Sequence, residues 1–210
     1  TDTVMIIGGE YWNDLGENIH TATCEVMDFG AAVPQWQPTG SLHHAPAHAN
    51  VVILPDRRVL VIGGGTFDLY GEPVTIPELY DPVTGIWTEL PAQVYGRMYH
   101  STALLLPDGR VISAGQDNGP SGDWGEIYEP PYLFRGARPA ISAAPQQVAY
   151  GSSFIIETPD AADIAAVALL RLGGVTHSVN MEQRYVGLSF SAAGATTLLA
   201  TAPQDGNHAP

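Results

Sequence analysis

Apolar residues along the chain fall into short runs, and each run ends in Gly, Pro, Asp or Asn. Leu104-Leu105-Leu106 and Val111-Ile112-Ser113-Ala114 flank Pro107-Asp108-Gly109. This pattern predicts two strands and a tight turn, with Pro presetting φ and Gly taking the positive φ that closes the hairpin. The same pattern occurs earlier. His48-Ala49-Asn50-Val51-Val52-Ile53-Leu54-Pro55-Asp56-Arg57-Arg58-Val59 matches His100-Ser101-Thr102-Ala103-Leu104-Leu105-Leu106-Pro107-Asp108-Gly109-Arg110-Val111 at a constant offset of 52 residues. Other landmarks recur at nearly that distance: Gly8-Gly9 and Gly63-Gly64, Glu25 with Asp28 and Glu78 with Asp81, Trp36 and Trp87. A partial third copy follows at Gly125-Glu126-Ile127-Tyr128.

A period of roughly 50 residues that holds several short strands predicts kelch-type propeller blades, each burying its faces only against its neighbours. Two to three blades fit into residues 1–135. The Gly-Gly pairs mark places where another backbone comes close, and the recurring Trp is expected to pack between blades. Pro130-Pro131-Tyr132-Leu133-Phe134 breaks the repeat. From 139 to 210 the runs Phe154–Ile156, Ile164–Leu172, Val186–Phe190 and Thr196–Thr201 read as strands at the spacing of an immunoglobulin-like sandwich. Ala165–Leu170 has helical propensity, but Gly173-Gly174 ends it early, so a strand is expected there. The expected class is therefore all-β: a partial propeller followed by a sandwich, incomplete at both ends. Thr1-Asp2-Thr3-Val4 reads as the start of a strand inside a longer protein, and Asn207-His208-Ala209-Pro210 reads as a loop.

Composition narrows the function classes. Across 210 residues the hydrophobic fraction is 45% and the charged fraction 14%, too apolar for a disordered chain. No run approaches the roughly 18 apolar residues of a membrane-spanning helix. The net charge of −14 disfavours a nucleic-acid partner, whose phosphates need a basic face. The one cysteine, Cys24, excludes an internal disulfide; it opens an expected strand and reads as a small core residue. There is no phosphate-binding Gly loop, nucleophile elbow or metalloprotease helix.

Three positions carry candidate chemistry: Tyr99 and His100 at the head of a blade strand, and His177 in the turn-rich stretch Gly173–Asn180. Two imidazoles and a phenol make an N,N,O donor set of the kind that suits Cu(II). The structural alternative for His100 is that His48 shares its repeat position, which points to a feature of the blade itself. Tyr99 has no counterpart, because Ala47 stands at its repeat position. His43, His44 and His48 resemble a metal cluster, but Pro46 prevents the helix that would align them, and they read as loop residues. Glu10, Asp14, Glu17, Asp68, Glu72, Asp117 and Asp123 read as solvated loop residues, with a calcium or sugar site the alternative.

At Arg97-Met98-Tyr99-His100-Ser101, at Leu105–Val111 and most strongly at Val175-Thr176-His177-Ser178-Val179-Asn180-Met181-Glu182-Gln183-Arg184-Tyr185-Val186, the chain resembles the galactose oxidase/glyoxal oxidase family. The resemblance implies a seven-bladed kelch propeller with one copper ion on its axis, held by Tyr99, His100 and His177. Tyr99 would also serve as general base. It implies a cross-linked Tyr-Cys radical cofactor from earlier blades, absent from this chain; Cys24 sits in no matching motif. The implied activity is a secreted copper-radical oxidase that converts small alcohols, aldehydes or carbohydrates with dioxygen and releases hydrogen peroxide, the missing blades being needed for turnover. The alternative is a non-catalytic kelch-plus-sandwich protein that binds glycans or a cell-wall partner.

Overall fold

A computed structural model of the chain describes residues 3–67, 71–116 and 123–209; Asp68 and Asp117, among the acidic loop residues noted above, lie outside them. The described residues are all-β apart from short pieces of 3-10 helix such as Pro131–Phe134 and Ala161–Asp163. They divide into two compact units. The first comprises residues 1–130 together with 172–183, and the second comprises 131–171 and 184–210.

The first unit is built from antiparallel meanders. Strands β1 (Thr3–Ile7), β4 (Cys24–Asp28) and β5 (Gln37–Pro38) form one sheet, with the hairpin β2 (Glu10–Trp12) and β3 (Asn18–His20) inserted between β1 and β4. The next sheet runs β11-β10-β7-β6, where β6 is Asn50–Ile53, β7 is Val59–Ile62, β10 is Glu78–Asp81 and β11 is Ile86–Glu89. Its inserted hairpin is β8 (Gly65–Phe67) with β9 (Gly71–Pro73). A third sheet pairs β12 (Thr102–Leu105), β13 (Val111–Ala114) and β14 (Gly125–Tyr128). These are the kelch blades expected from the repeat.

The repeated residues recur because they do the same work in each copy. Asp28 and Asp81 end their strands by accepting a backbone N–H two residues on, from Gly30 and Val83, each at 2.8 Å. Asp56 and Asp108 hold the following Arg58 and Arg110 side chains at Nε–O distances of 2.8 Å. Glu78 on β10 is 2% exposed and accepts the N–H groups of His43 and His44. Glu126 on β14 accepts those of Val94 and Tyr95 in the same way. A carboxylate from the third strand thus ties down the loop that leads into each inner strand.

Packing between blades joins two sheets in one core. Cys24 from β4 meets Val61, Tyr80 and Trp87 from the next sheet, with Met5 and Ile7 of β1 packed against them. Trp87 is 4% exposed and its indole N–H donates to the Gly40 carbonyl at 2.8 Å, so this copy lies between blades as expected, whereas its repeat partner Trp36 is exposed at 37%. Burial raises the Cys24 thiol above its ordinary pKa, which leaves it a neutral core residue. Gly63 and Gly64 have φ of 77° and 80°, and a Cβ on either would fall within 2.6 Å of a neighbouring carbonyl oxygen, of Arg97 or Ala47 respectively. That is the close backbone approach the Gly-Gly pair implied.

The second unit pairs β15 (Ser153–Glu157) with β19 (Thr197–Thr201) and β18 (Phe190–Gly194), and pairs β16 (Val167–Arg171) with β17 (Arg184–Leu188). Ile156, Leu188, Leu198 and Ala200 form its core with Val167 and Val186. Ala165–Leu170 is extended rather than helical for much of its length: β16 begins at Val167. The run read as Val186–Phe190 is divided between β17 and β18.

The two equivalent hairpin turns differ at one decisive position. Gly109 takes φ of 88° in the β12–β13 turn, and Arg57 takes 72° at the matching place in the β6–β7 turn. A side chain in left-handed backbone costs about 1–2 kcal/mol, whereas glycine adopts it freely. Urea unfolding of Arg57→Gly is expected to show a gain of about 0.5–1 kcal/mol, and Gly109→Ala a loss of about 1–2 kcal/mol. Equal effects of the two substitutions would contradict this reading of the turns.

Candidate metal centre

Tyr99 and His100 occupy the middle of a turn closed by the Ser101 N–H donating to the Met98 carbonyl at 3.0 Å, immediately before β12. His100 has φ of 63°, and His48, at the matching repeat position, has 58°. Left-handed backbone accounts for the repeated histidine, since His is among the residues enriched there. The two copies are joined through the buried Asn50 side chain, which donates to Ser101 Oγ at 2.9 Å. Just before the turn lies Arg97, a fully buried cation. Its Nη2 donates to the Trp124 carbonyl at 2.7 Å, Nη1 lies 3.5 Å from the Gly115 carbonyl, and Glu126 is 3.6 Å from Nη2. Desolvation lowers the guanidinium pKa, and the Glu126 charge opposes that shift. The Arg97 carbonyl in turn accepts the Gly64 N–H. Arg97 therefore locks the backbone that presents Tyr99 and His100.

His177 sits in a second turn. Thr176 and Val179 exchange two backbone hydrogen bonds, at 3.1 and 2.8 Å, around His177 and Ser178 with φ of 53° and 61°. Positive φ at both central residues defines a type I′ turn, which normally uses Asn or Gly. The residues 172–183 that contain it belong to the first unit, although they lie between β16 and β17 in the chain. Ser178 and Gln183 tie them to β6 and to the residues that lead into it. Ser178 Oγ donates to the His48 carbonyl at 2.7 Å. The Gln183 side-chain amide donates to the Val51 carbonyl at 2.7 Å and accepts the Ile53 N–H at 2.8 Å.

The turns bring the three sequence-predicted residues together. Ring centroids lie 3.9 Å apart for Tyr99 and His100, 4.4 Å for His100 and His177, and 5.7 Å for Tyr99 and His177. The two imidazoles are nearly perpendicular, at 82°. Imidazoles on adjacent corners of a square, each with a nitrogen about 2 Å from one ion, have centroids roughly 4.5 Å apart, so the spacing fits a shared metal. Thr176 Oγ1 is 2.6 Å from His177 Nδ1. With Nδ1–H donating to that hydroxyl, the Nε2 lone pair is the one left for a metal. Among the described residues no three His, Cys, Asp or Glu side chains gather to hold a metal ion; this cluster has two imidazoles, and its third donor is a phenol.

The other histidines are engaged elsewhere. His43 pairs with Glu78 at 2.7 Å, and that hydrogen bond raises the imidazole pKa; His44 pairs with Glu89 at 3.0 Å. His208 pairs with Asp205. His48 packs edge-on against Tyr99 at 5.2 Å, and its Nε2 lies 3.6 Å from Glu10, which also faces His20 at 3.4 Å. Glu10 and His48 line a cavity of about 260 Å³ with Ile7, Val51, Val61 and Ser178. Glu10, read from the sequence as a solvated loop residue, instead faces His20 and His48, and the sequence did not single out the anchoring amide of Gln183, whose partners lie on a strand far away in the chain.

Residues 2–124 match the family described as Glyoxal oxidase N-terminus, and residues 138–210 match Galactose oxidase-like, Early set domain. The chain belongs to the galactose oxidase/glyoxal oxidase family. Members of this family similar to the chain include a galactose oxidase of Gibberella zeae, 31% identical over 80% of this chain and 26% of its own. Another is the aldehyde oxidase GLOX of Vitis pseudoreticulata, 32% identical over 77% of this chain and 36% of its own. A solved fungal alcohol oxidase in complex with copper superposes with a TM-score of 0.84 at 28% identity, covering 97% of this chain and 46% of its own. The chain thus spans about a quarter to a third of the length of these curated oxidases.

Arg97 is the part of this galactose oxidase-like site most open to a stability test. Its removal leaves the carbonyls of Gly115 and Trp124 without their donor. Arg97→Met is expected to lose about 2–4 kcal/mol in urea unfolding, and Arg97→Lys to recover only part of it. A loss below about 0.5 kcal/mol would show that the turn stands without the guanidinium.

Proposed function

We propose that the chain is the copper-binding part of a secreted copper-radical oxidase that oxidises small alcohols or aldehydes. The observation that carries this reading is the convergence of Tyr99, His100 and His177 in a family whose solved neighbour is a copper complex. Tyr99, His100 and His177 would hold the ion. Bound copper supplies a Lewis acid and a one-electron acceptor to the oxidation.

The role of each residue follows from its surroundings. His100 and His177 offer their imidazoles from two turns held by outside hydrogen bonds. Tyr99 places its phenolic oxygen as the general base for the substrate hydroxyl, backed by the His48 ring. The net reaction takes an alcohol and dioxygen to an aldehyde and hydrogen peroxide, or a hydrated aldehyde to an acid. Two hydrogens leave the substrate and appear in the peroxide. The Tyr-Cys radical pair of such an enzyme would come from blades outside this chain, so activity is assigned to the full-length protein. Membership in this oxidase family supports action outside the cell.

The test uses full-length protein loaded with copper and a panel of galactose, glyoxal and simple primary alcohols, with peroxide as the readout. Peroxide formation is expected. Tyr99→Phe should lower kcat by about 10²–10⁴-fold, and His100→Ala or His177→Ala should lower copper affinity as well. Copper-loaded protein that yields no peroxide on the whole panel, or a Tyr99→Phe variant with unchanged kcat, would contradict the proposal.

A further inference from the structure

We propose that Gln183 is the positioning residue that holds His177 in place for the metal, an inference that rests on the reading of Tyr99, His100 and His177 as one site. β6 is the edge strand of its sheet, in the order β11-β10-β7-β6. An edge strand presents unpaired carbonyl and N–H groups in alternation. The Gln183 amide takes one of each: its Nε2 donates to the Val51 carbonyl at 2.7 Å and its Oε1 accepts the Ile53 N–H at 2.8 Å. A side-chain amide here replaces the peptide group of a neighbouring strand, and primary amides carry the donor and acceptor needed on one planar group.

The consequence reaches His177 through the turn. His177 and Ser178 both adopt left-handed backbone without the Asn or Gly that favours it. Such a turn persists only when its surroundings hold it. Among the bonds that hold it are the Ser178 hydroxyl on the His48 carbonyl and the Gln183 amide on β6. Both attach to one short stretch of backbone, residues 48–53, which follows the turn carrying the His48 ring and lies beside the inner strand led by Tyr99 and His100. Gln183 is the only one of the two to make a paired donor–acceptor contact. The register of 172–183 along β6, and with it the position of the His177 ring, is therefore set by this amide.

Two substitutions separate the hydrogen bonds from bulk. Gln183→Met keeps the length and volume and removes both bonds. Gln183→Glu keeps an acceptor for Ile53 and sets a carboxylate oxygen against the Val51 carbonyl. In full-length protein we expect amide hydrogen exchange across 172–183 to rise at least tenfold in both variants, with exchange of β6–β7 and β12–β13 unchanged. Copper affinity should fall roughly 10–100-fold, the usual effect of losing an outer support of a metal ligand. The Cu(II) electron paramagnetic resonance spectrum should lose the nitrogen coupling of one imidazole at limiting copper. Unchanged exchange in 172–183 would overturn the proposal whatever copper does. Increased exchange with wild-type copper affinity and spectrum would overturn the link to His177. Wild-type protein showing no imidazole coupling would instead refute the shared site, a result distinguishable from either of these because it appears before any substitution is made.

Discussion

Three ring side chains gather here because backbone in the left-handed region is held there by hydrogen bonds from outside each turn. His100 and His177 would each relax to ordinary φ if left to local preference, at a gain of about 1–2 kcal/mol per residue. Arg97 opposes that for the first turn by spanning the carbonyls of Gly115 and Trp124. The bonds from Ser178 and Gln183 to residues 48–53 oppose it for the second. The site is thus a property of the blades that hold it, and its strain is carried by elements with little local conformational freedom of their own. Strained backbone concentrated at a candidate site, with compensation in the surrounding structure, is the pattern expected where ligand geometry has to be fixed in advance.

The blades supply that rigidity by repetition. Glu78 and Glu126, buried and half-buried carboxylates, hold the loops before the inner strands β6 and β12, and Asp28 and Asp81 close their strands by capping the following turns. The inner strands β6 and β12 are joined by Asn50 and Ser101. Because the frame repeats, the site is made by departures from it. Tyr99 stands where the preceding blade has Ala47, which is fully buried in the β-bridge with Gly65. His48, the counterpart of His100, packs against the Tyr99 ring and faces Glu10.

Much of this was legible in the sequence. The 52-residue offset gave the blades and the matched turns, and the strand-turn-strand reading around Pro107-Asp108-Gly109 agrees with β12 and β13. His43 and His44, read as loop residues, lie in loops and pair with Glu78 and Glu89. Periodicity could not reveal that Arg57 would take the glycine conformation of its repeat partner, because the turn is over-determined by Asp56 and the hairpin bonds. It could not show that residues 172–183 join the first unit, since sequence order places them between two strands of the second. It was also silent on Gln183, whose role comes from an edge strand 130 residues earlier in the chain. Convergence of side chains from distant segments is a tertiary fact that motif spacing only hints at.

The account stands on Tyr99, His100 and His177 sharing one ion. Crystals of the copper-loaded full-length protein, measured above the copper absorption edge, test it directly. The account predicts one strong anomalous peak with the ring nitrogens of His100 and His177 about 2 Å away and the Tyr99 oxygen facing the same ion. A copper peak elsewhere in the molecule, or one ligated by only one of these imidazoles, would contradict it.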